Sequence, residues 1–270
     1  MFIDKEYEKL ICERRGREEE ILWITLNDAK MYNALTDTMQ QELVAVLNDV
    51  SFDHSIRCLI LTGAGEKAFC SGGDIAQFQS QDNVSGYDFM YERGCQIQRL
   101  LTYMEKPVIS AVNGYCLAGG LELSLCCDFI YATEKSKFGI TEINLGLLAG
   151  WGGTIRLPRT IPVARAKEMI YRGEMISADE ACQLGLVNRV LPTREKLFEE
   201  VDTISKEMMT KGKLALRASK TVINNSITCD SIEAAQAIER GAIMWLQSSD
   251  DMKEGVNAFL EKRKPVFKGK

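Results

Sequence analysis

The stretch Gly114-Tyr115-Cys116-Leu117-Ala118-Gly119-Gly120-Leu121-Glu122-Leu123 decides how the rest of the chain is read. It follows Val108-Ile109-Ser110-Ala111-Val112, a strand-like run, and leads into a helical apolar run from Leu121 to Cys127. A glycine pair at such a junction lets a second backbone segment approach closely. The unpaired N–H groups of the helix's first turn attract developing negative charge. Glu122 falls on that first turn. Alone it complements the helix dipole, an effect of roughly a few tenths of a kcal/mol; in apolar company it also invites a raised pKa.

A second glycine turn lies upstream, in Phe69-Cys70-Ser71-Gly72-Gly73-Asp74. By itself it reads as an ordinary loop, but two such turns could supply an oxyanion hole. Just before it, Gly63-Ala64-Gly65-Glu66-Lys67-Ala68 spells a G-x-G-x-x-A after a strand. A dinucleotide fingerprint must open a helix whose N-terminus meets pyrophosphate, and here another turn follows instead, so nicotinamide binding is rejected. Downstream, Glu142 stands in Phe138-Gly139-Ile140-Thr141-Glu142-Ile143-Asn144-Leu145-Gly146, ahead of Gly150-Trp151-Gly152-Gly153-Thr154. Seen alone it is a polar residue in a connection; paired with Glu122 it becomes an acid/base candidate.

Outward from these turns, strands and helices alternate. Residues 8–14 and 20–26 read as paired strands, and residues 36–50 place Met39, Leu43, Val46, Leu47 and Val50 on one helical face. Residues 58–62 and 128–132 are further strands, and 86–104 have helical period up to Pro107. The fold class is α/β. From about residue 160 the signals are nearly all helical. Ser177 with Glu180 spells a capping box, and Thr193, Ser231 and Ser249 are N-caps. Ile232, Ala235, Ile238, Ala242, Trp245 and Leu246 form an apolar helix face that could pack on the chain's own core or on another subunit, core packing being the favoured reading.

Composition narrows the function. A chain of 270 residues with 46% hydrophobic content can bury a sizeable core, and a net charge of -5 leaves no footprint for nucleic acid. The single histidine, His54, argues against Ser-His-Asp and Cys-His triads and against His-rich metal sites. Nine cysteines, an odd number without a C-x-x-C pair, read as free thiols in a reducing cytoplasm. The start, Met1-Phe2-Ile3-Asp4-Lys5-Glu6, mixes charges at once, and no run reaches the roughly 18 apolar residues of a membrane span. A cytoplasmic protein, neither exported nor inserted, is expected.

Taken together, the motifs resemble the crotonase (enoyl-CoA hydratase/isomerase) superfamily over nearly the whole chain. The resemblance runs through Asn33-Ala34-Leu35, Ala68 to Asp74, Lys106-Pro107-Val108-Ile109, Gly114 to Leu123, Cys127-Asp128, Phe138-Gly139 and Glu142. It continues through Gly152-Gly153-Thr154, Arg156-Leu157, Ala181 to Val190, and Ala258-Phe259-Leu260-Glu261-Lys262-Arg263-Lys264-Pro265. It implies a spiral of ββα units over residues 1–200 carrying an acyl-CoA site, and a helical region over 201–270 that serves trimerisation and lids the CoA site. Homotrimers or homohexamers are implied.

The family shares an oxyanion hole across several reactions, so the side chains must decide between them. Glutamates stand at both hydratase positions, Glu122 and Glu142, whereas typical isomerases keep only the second. The resemblance therefore implies an enoyl-CoA hydratase, with backbone N–H groups of Gly73 and Gly119 as the oxyanion hole, Glu122 activating water and Glu142 protonating Cα. Around the acyl-CoA it implies Ala68, Cys70, Ser71, Gly72, Asp74, Ile75, Leu117, Trp151, Phe259 and Lys262, with no metal and no cofactor beyond the substrate's own coenzyme A. Two features depart from the common pattern. Asp74-Ile75-Ala76-Gln77 offers no basic residue after the Gly-Asp turn, and Trp151 replaces a small residue beside Glu142, which points to a short, branched or cyclic acyl group. Alternatives are double-bond isomerisation, hydrolysis of a cyclic acyl-CoA, and a non-catalytic acyl-CoA-binding or RNA-binding member.

Overall fold

The strand-forming runs at Leu10–Arg15 (β1) and Ile21–Leu26 (β2) pair antiparallel, with Leu10 opposite Leu26. The computed structural model describes residues 5–76 and 92–270; the readings that fall on 1–4 and 77–91, including the first part of the 86–104 helix, lie outside them. Helix α1, Asp37–Phe52, is capped by the Thr36 side chain, which accepts the Met39 N–H, and it buries the five apolar residues that the spacing predicts.

Beyond α1 a unit recurs in which a long strand is followed by a sharp turn, a short strand and a helical return. Its members are β3 (Cys58–Gly63), β4 (Ala68–Cys70) and α2 (Gly94–Tyr103); then β5 (Val108–Val112), β6 (Tyr115–Leu117) and α3 (Gly119–Ser124). The third is β7 (Phe129–Thr133), β8 (Lys137–Gly139), a 3-10 turn at Glu142–Leu145, and α4 (Gly153–Thr160). After α5 (Val163–Arg172), β9 (Ile176–Ser177) and α6 (Ala178–Gln183), β10 (Arg189–Leu191) completes the sheets. The large sheet runs β1-β2-β3-β5-β7-β10 and the small one β4-β6-β8-β9. Each unit advances one strand position in both sheets, so the chain winds as a spiral, as expected.

The strands β4, β6 and β8 differ from the sequence reading, in which these stretches carry glycine turns and connections. Three residues beside glycine carry too little alternation to register as strands. Likewise β9 and β10 interrupt the stretch expected to be helical. The four side-chain caps are present at Ser177, Thr193, Ser231 and Ser249. Glu180, however, turns its carboxylate to Arg165.

Both faces of the large sheet are covered. Leu22, Ile24, Leu59, Leu61, Val108 and Val112 face the main core, while Ile21, Trp23, Cys58, Ile60, Ile109 and Ala111 are buried with Leu197 and Val201 of α7 (Arg194–Met209). Alternate residues on each strand thus serve opposite layers.

The chain ends in α8 (Lys213–Ser226), α9 (Ile232–Gln247) and α10 (Asp250–Leu260). Here the expectation of core packing for the α9 face is corrected. No residue of α9 is buried: Ile232 is 73% and Trp245 45% exposed, and Ala235, Ile238 and Ala242 are half-buried. The helix pairs with α8, which itself buries only Ala218, so among the described residues the rest of the stripe meets no core within one chain.

Glycines hold the spiral tight where strands change sheet. A Cβ on Gly114, between β5 and β6, would stand 2.3 Å from Lys67 O, and one on Gly120 2.2 Å from Cys70 O. Neither contact can relax without moving backbone. Gly114→Ala is therefore expected to cost at least about 2 kcal/mol in denaturant unfolding; a loss under about 0.5 kcal/mol would contradict this reading of the turn.

Candidate active site

The turns at Gly72-Gly73 and Ala118-Gly119 touch. A Cβ on Gly72, whose φ is +103°, would meet Ala118 Cβ at 2.7 Å, and one on Gly119 would come 3.5 Å from Gly73 N. Hydrogen bonds on the opposite sides of the two peptide groups set where their N–H groups point. Gly72 O accepts the Leu35 N–H at 2.8 Å, so in a trans peptide the Gly73 N–H faces the other way. Ala118 O accepts from Leu121 and Glu122 at 2.9 and 3.0 Å, directing the Gly119 N–H out of the start of α3. Neither N–H has a protein acceptor among the described residues. Ala118, at φ 50° and ψ −126°, holds a conformation rare for a residue with a Cβ. Its own N–H is tied to Gly139 O at 2.8 Å.

Both turns border a cavity of about 310 Å³ whose wall includes Ser71, Gly73, Ile75, Gly119, Glu122, Glu142 and Trp151. Of the other residues named from sequence, Ala68, Cys70, Gly72, Asp74 and Leu117 lie beside this wall in the chain without forming it, and Phe259 and Lys262 are exposed on and just after α10. Sequence reasoning missed Leu35, Gln40, Ala118, Thr141, Leu145, Leu147 and Leu148. Gln40 carries the least visible signal. It is a polar residue on the buried face of α1, where its Nε2 donates to Leu35 O at 2.9 Å and its Oε1 is buried without a partner.

Glu122 is 2% exposed, and its Oε1 accepts the Trp151 and Gly153 N–H groups at 2.8 and 2.7 Å. Burial drives its pKa up to about 7; the Gly153 N–H opposes this, the neighbouring Glu142 charge reinforces it, and the Trp151 N–H opposes it again. Burial also raises Glu142, against the N–H groups of its own turn and a hydrogen bond from Glu122. Glu142 Oε2 is buried and meets no N–H donor, yet the two carboxyls lie within hydrogen-bonding reach of each other. Two carboxylates so close repel, which together with burial favours the protonated form of the pair.

The glycines around the carboxyls have local reasons. A Cβ on Gly153 would stand 3.1 Å from Glu122 Cγ, and the Trp151 indole lies on Gly94, 2.4 Å from where a Cβ would be. Asn144 ties the Glu142 turn to the end of α5 through Gly173 O at 3.2 Å. Among the described residues, no group of three His, Cys, Asp or Glu side chains could hold a metal ion, and no helix is long and apolar enough to cross a membrane.

The spiral brings the Gly73 and Gly119 turns and two neighbouring carboxyls to the wall of one cavity. The family model for enoyl-CoA hydratase/isomerase matches residues 16–270. A crotonyl-CoA hydratase of Syntrophomonas wolfei is 41% identical over 97% of this chain and 98% of its own. A short-chain-enoyl-CoA hydratase of Clostridium acetobutylicum is 37% identical over 96% and 97%. The crystal structure of an enoyl-CoA hydratase from Bacillus anthracis superposes with a TM-score of 0.93, at 36% identity, covering 97% of this chain and all of the other. The chain belongs to the enoyl-CoA hydratase/isomerase family of the crotonase superfamily, and it is an enzyme.

A carboxyl raised from 4.5 to about 7 in the folded chain holds its proton more tightly folded than unfolded. Its contribution to stability is complete below about 4.5 and is lost as the pH rises through about 7. Glu122→Gln keeps an acceptor for both amides and removes the titration. Between about pH 5 and 8 the variant should gain on the wild type by on the order of 2 kcal/mol in denaturant unfolding. A difference that does not change with pH would contradict the shift.

Proposed function

We propose that this protein is an enoyl-CoA hydratase that adds water reversibly across the 2,3 double bond of a short 2-enoyl-CoA. The observation that carries the reading is the Glu122–Glu142 pair, two neighbouring carboxyls with raised pKa on the wall of the cavity that the Gly73 and Gly119 turns also line. The thioester oxygen sits between these two amides. As water attacks Cβ, the electron pair moves through Cα toward that oxygen, and the amides stabilise the resulting enolate; one such donor is worth roughly 3–4 kcal/mol.

Glu122 takes the proton from the attacking water, and a base whose pKa is about 7 suits that step near neutral pH. Its Oε1 is engaged by two backbone N–H groups, leaving Oε2 for the proton. Once Glu122 is ionised, its charge favours the proton's residence on Glu142, which delivers it to Cα. The thioester supplies the activation, so the scheme needs no metal or redox cofactor. The backbone from Cys70 to Gly73 holds the CoA end, and Ile75, at the cavity rim, contacts the substrate. Because Phe259 and Lys262 are exposed and stand apart from the cavity wall, any part they play in holding the nucleotide is played outside it.

A short acyl group is supported by the Trp151 indole, which fills the space over Gly94, and by the names of the two relatives above. Assembly through the helical end of the chain is supported by the apolar stripe of α9, which one chain leaves uncovered; the occupant is another copy, in a trimer or hexamer.

Hydration is followed as loss of the conjugated enoyl-thioester absorbance. Crotonyl-CoA should be consumed faster than long linear enoyl-CoAs, and Glu122→Gln and Glu142→Gln should each lower kcat by about 10²–10⁴-fold. Full activity in Glu122→Gln would favour isomerisation, which needs only one carboxyl. Equal turnover of long chains would remove the short-acyl assignment.

A further inference from the structure

Gly72 has the backbone freedom of a glycine at φ +103°, so steric limits alone do not fix the turn that aims the Gly73 N–H. Rotation about Gly72 would swing that N–H out of the cavity. Two hydrogen bonds oppose this rotation. One is the Leu35 N–H on Gly72 O; the other is on the far side of the residue, where the buried Gly72 N–H donates to Cys70 Sγ at 3.5 Å. Cys70 also braces the neighbouring turn, since its carbonyl and Cβ are the atoms a Cβ on Gly120 would strike, at 2.2 and 2.9 Å.

We infer that Cys70 is a positioning residue of the reaction: its sulfur locks the Gly72 peptide so that the Gly73 N–H, which it does not itself supply, stays aimed at the thioester oxygen. The inference rests on the hydratase reading above and deepens it.

The chemistry of a thiol fits the task. Cys70 is fully buried, and burial pushes its thiol up to about 12, so the sulfur accepts the N–H as a neutral atom and adds no negative charge near a forming enolate. The strand register places Cys70 opposite Cys116, whose Sγ lies 3.4 Å from Ser124 Oγ on the helix that carries Glu122; Ser124 in turn meets Ser110 at 2.8 Å. The sulfur therefore belongs to a buried polar strip running beneath both turns. Removing it leaves the Gly72 N–H buried without an acceptor, and the cheapest relief is to rotate the glycine.

Cys70→Ala and Cys70→Ser separate positioning from packing. Serine offers an oxygen to the same N–H and alanine offers nothing, while both shrink the side chain. With crotonyl-CoA, Cys70→Ala should lose about tenfold in kcat with KM within about twofold, and Cys70→Ser should recover most of the loss. An electron-rich arylpropenoyl-CoA, which resists water, reads the same geometry without turnover. Its absorbance should shift to the red on binding the wild type and Cys70→Ser, and less on binding Cys70→Ala. Unchanged kcat and band shift in Cys70→Ala, or equal losses in both variants, would overturn the inference. Failure of the wild type to hydrate crotonyl-CoA would instead count against the hydratase reading, because the band shift tests the donor geometry separately.

Discussion

The close contact of two turns with nothing larger than a methyl between them, Gly72-Gly73 against Ala118-Gly119, is the constraint on which the rest of the structure depends. A Cβ added at Gly72 would stand only 2.7 Å from Ala118 Cβ. The spiral makes the contact possible by stacking the two strand-to-helix junctions in successive turns of the chain. Each peptide is held from behind, by Leu35 N–H on one side and by α3's own first turn on the other. The two exposed N–H groups are thus preorganised and need little reorganisation when charge appears.

The same stacking explains the carboxyls. Glu122 is carried on α3 immediately after one of the turns, so the helix that presents an amide also buries a glutamate beside it. Gly153 and Trp151 then lend two N–H groups to a single oxygen. These bonds keep the side chain in place without neutralising the effect of burial, and the proximity of Glu142 adds to it. The outcome is a pair whose pKa values are both raised, as the proposed removal of a proton from water and its delivery to carbon require.

Much of this was legible in the sequence. The apolar spacing of α1, most strands of the large sheet and the four helix caps follow from local pattern, and the glycine turns, Glu122 and Glu142, singled out from sequence, line one cavity. What could not be read locally was the second sheet, whose three-residue strands at Ala68–Cys70, Tyr115–Leu117 and Lys137–Gly139 are defined by pairing between successive turns. Gln40 was missed for a different reason: it looks like one polar residue on a helix, and only the fold puts it and Leu35, whose carbonyl it meets, on the cavity wall. The α9 stripe shows the converse error. Its pattern marks an apolar face without stating whether the surface that covers it belongs to the same chain.

The most direct test is to convert crotonyl-CoA in heavy-oxygen water and in deuterium oxide, and to locate both labels in the product at early conversion. The account predicts labelled oxygen on C3, a single deuterium on C2 and an intact thioester. Labelled oxygen in a free carboxylate would indicate hydrolysis, and a 3-enoyl product with deuterium on C2 and no labelled oxygen would indicate isomerisation; either would contradict hydration by the glutamate pair.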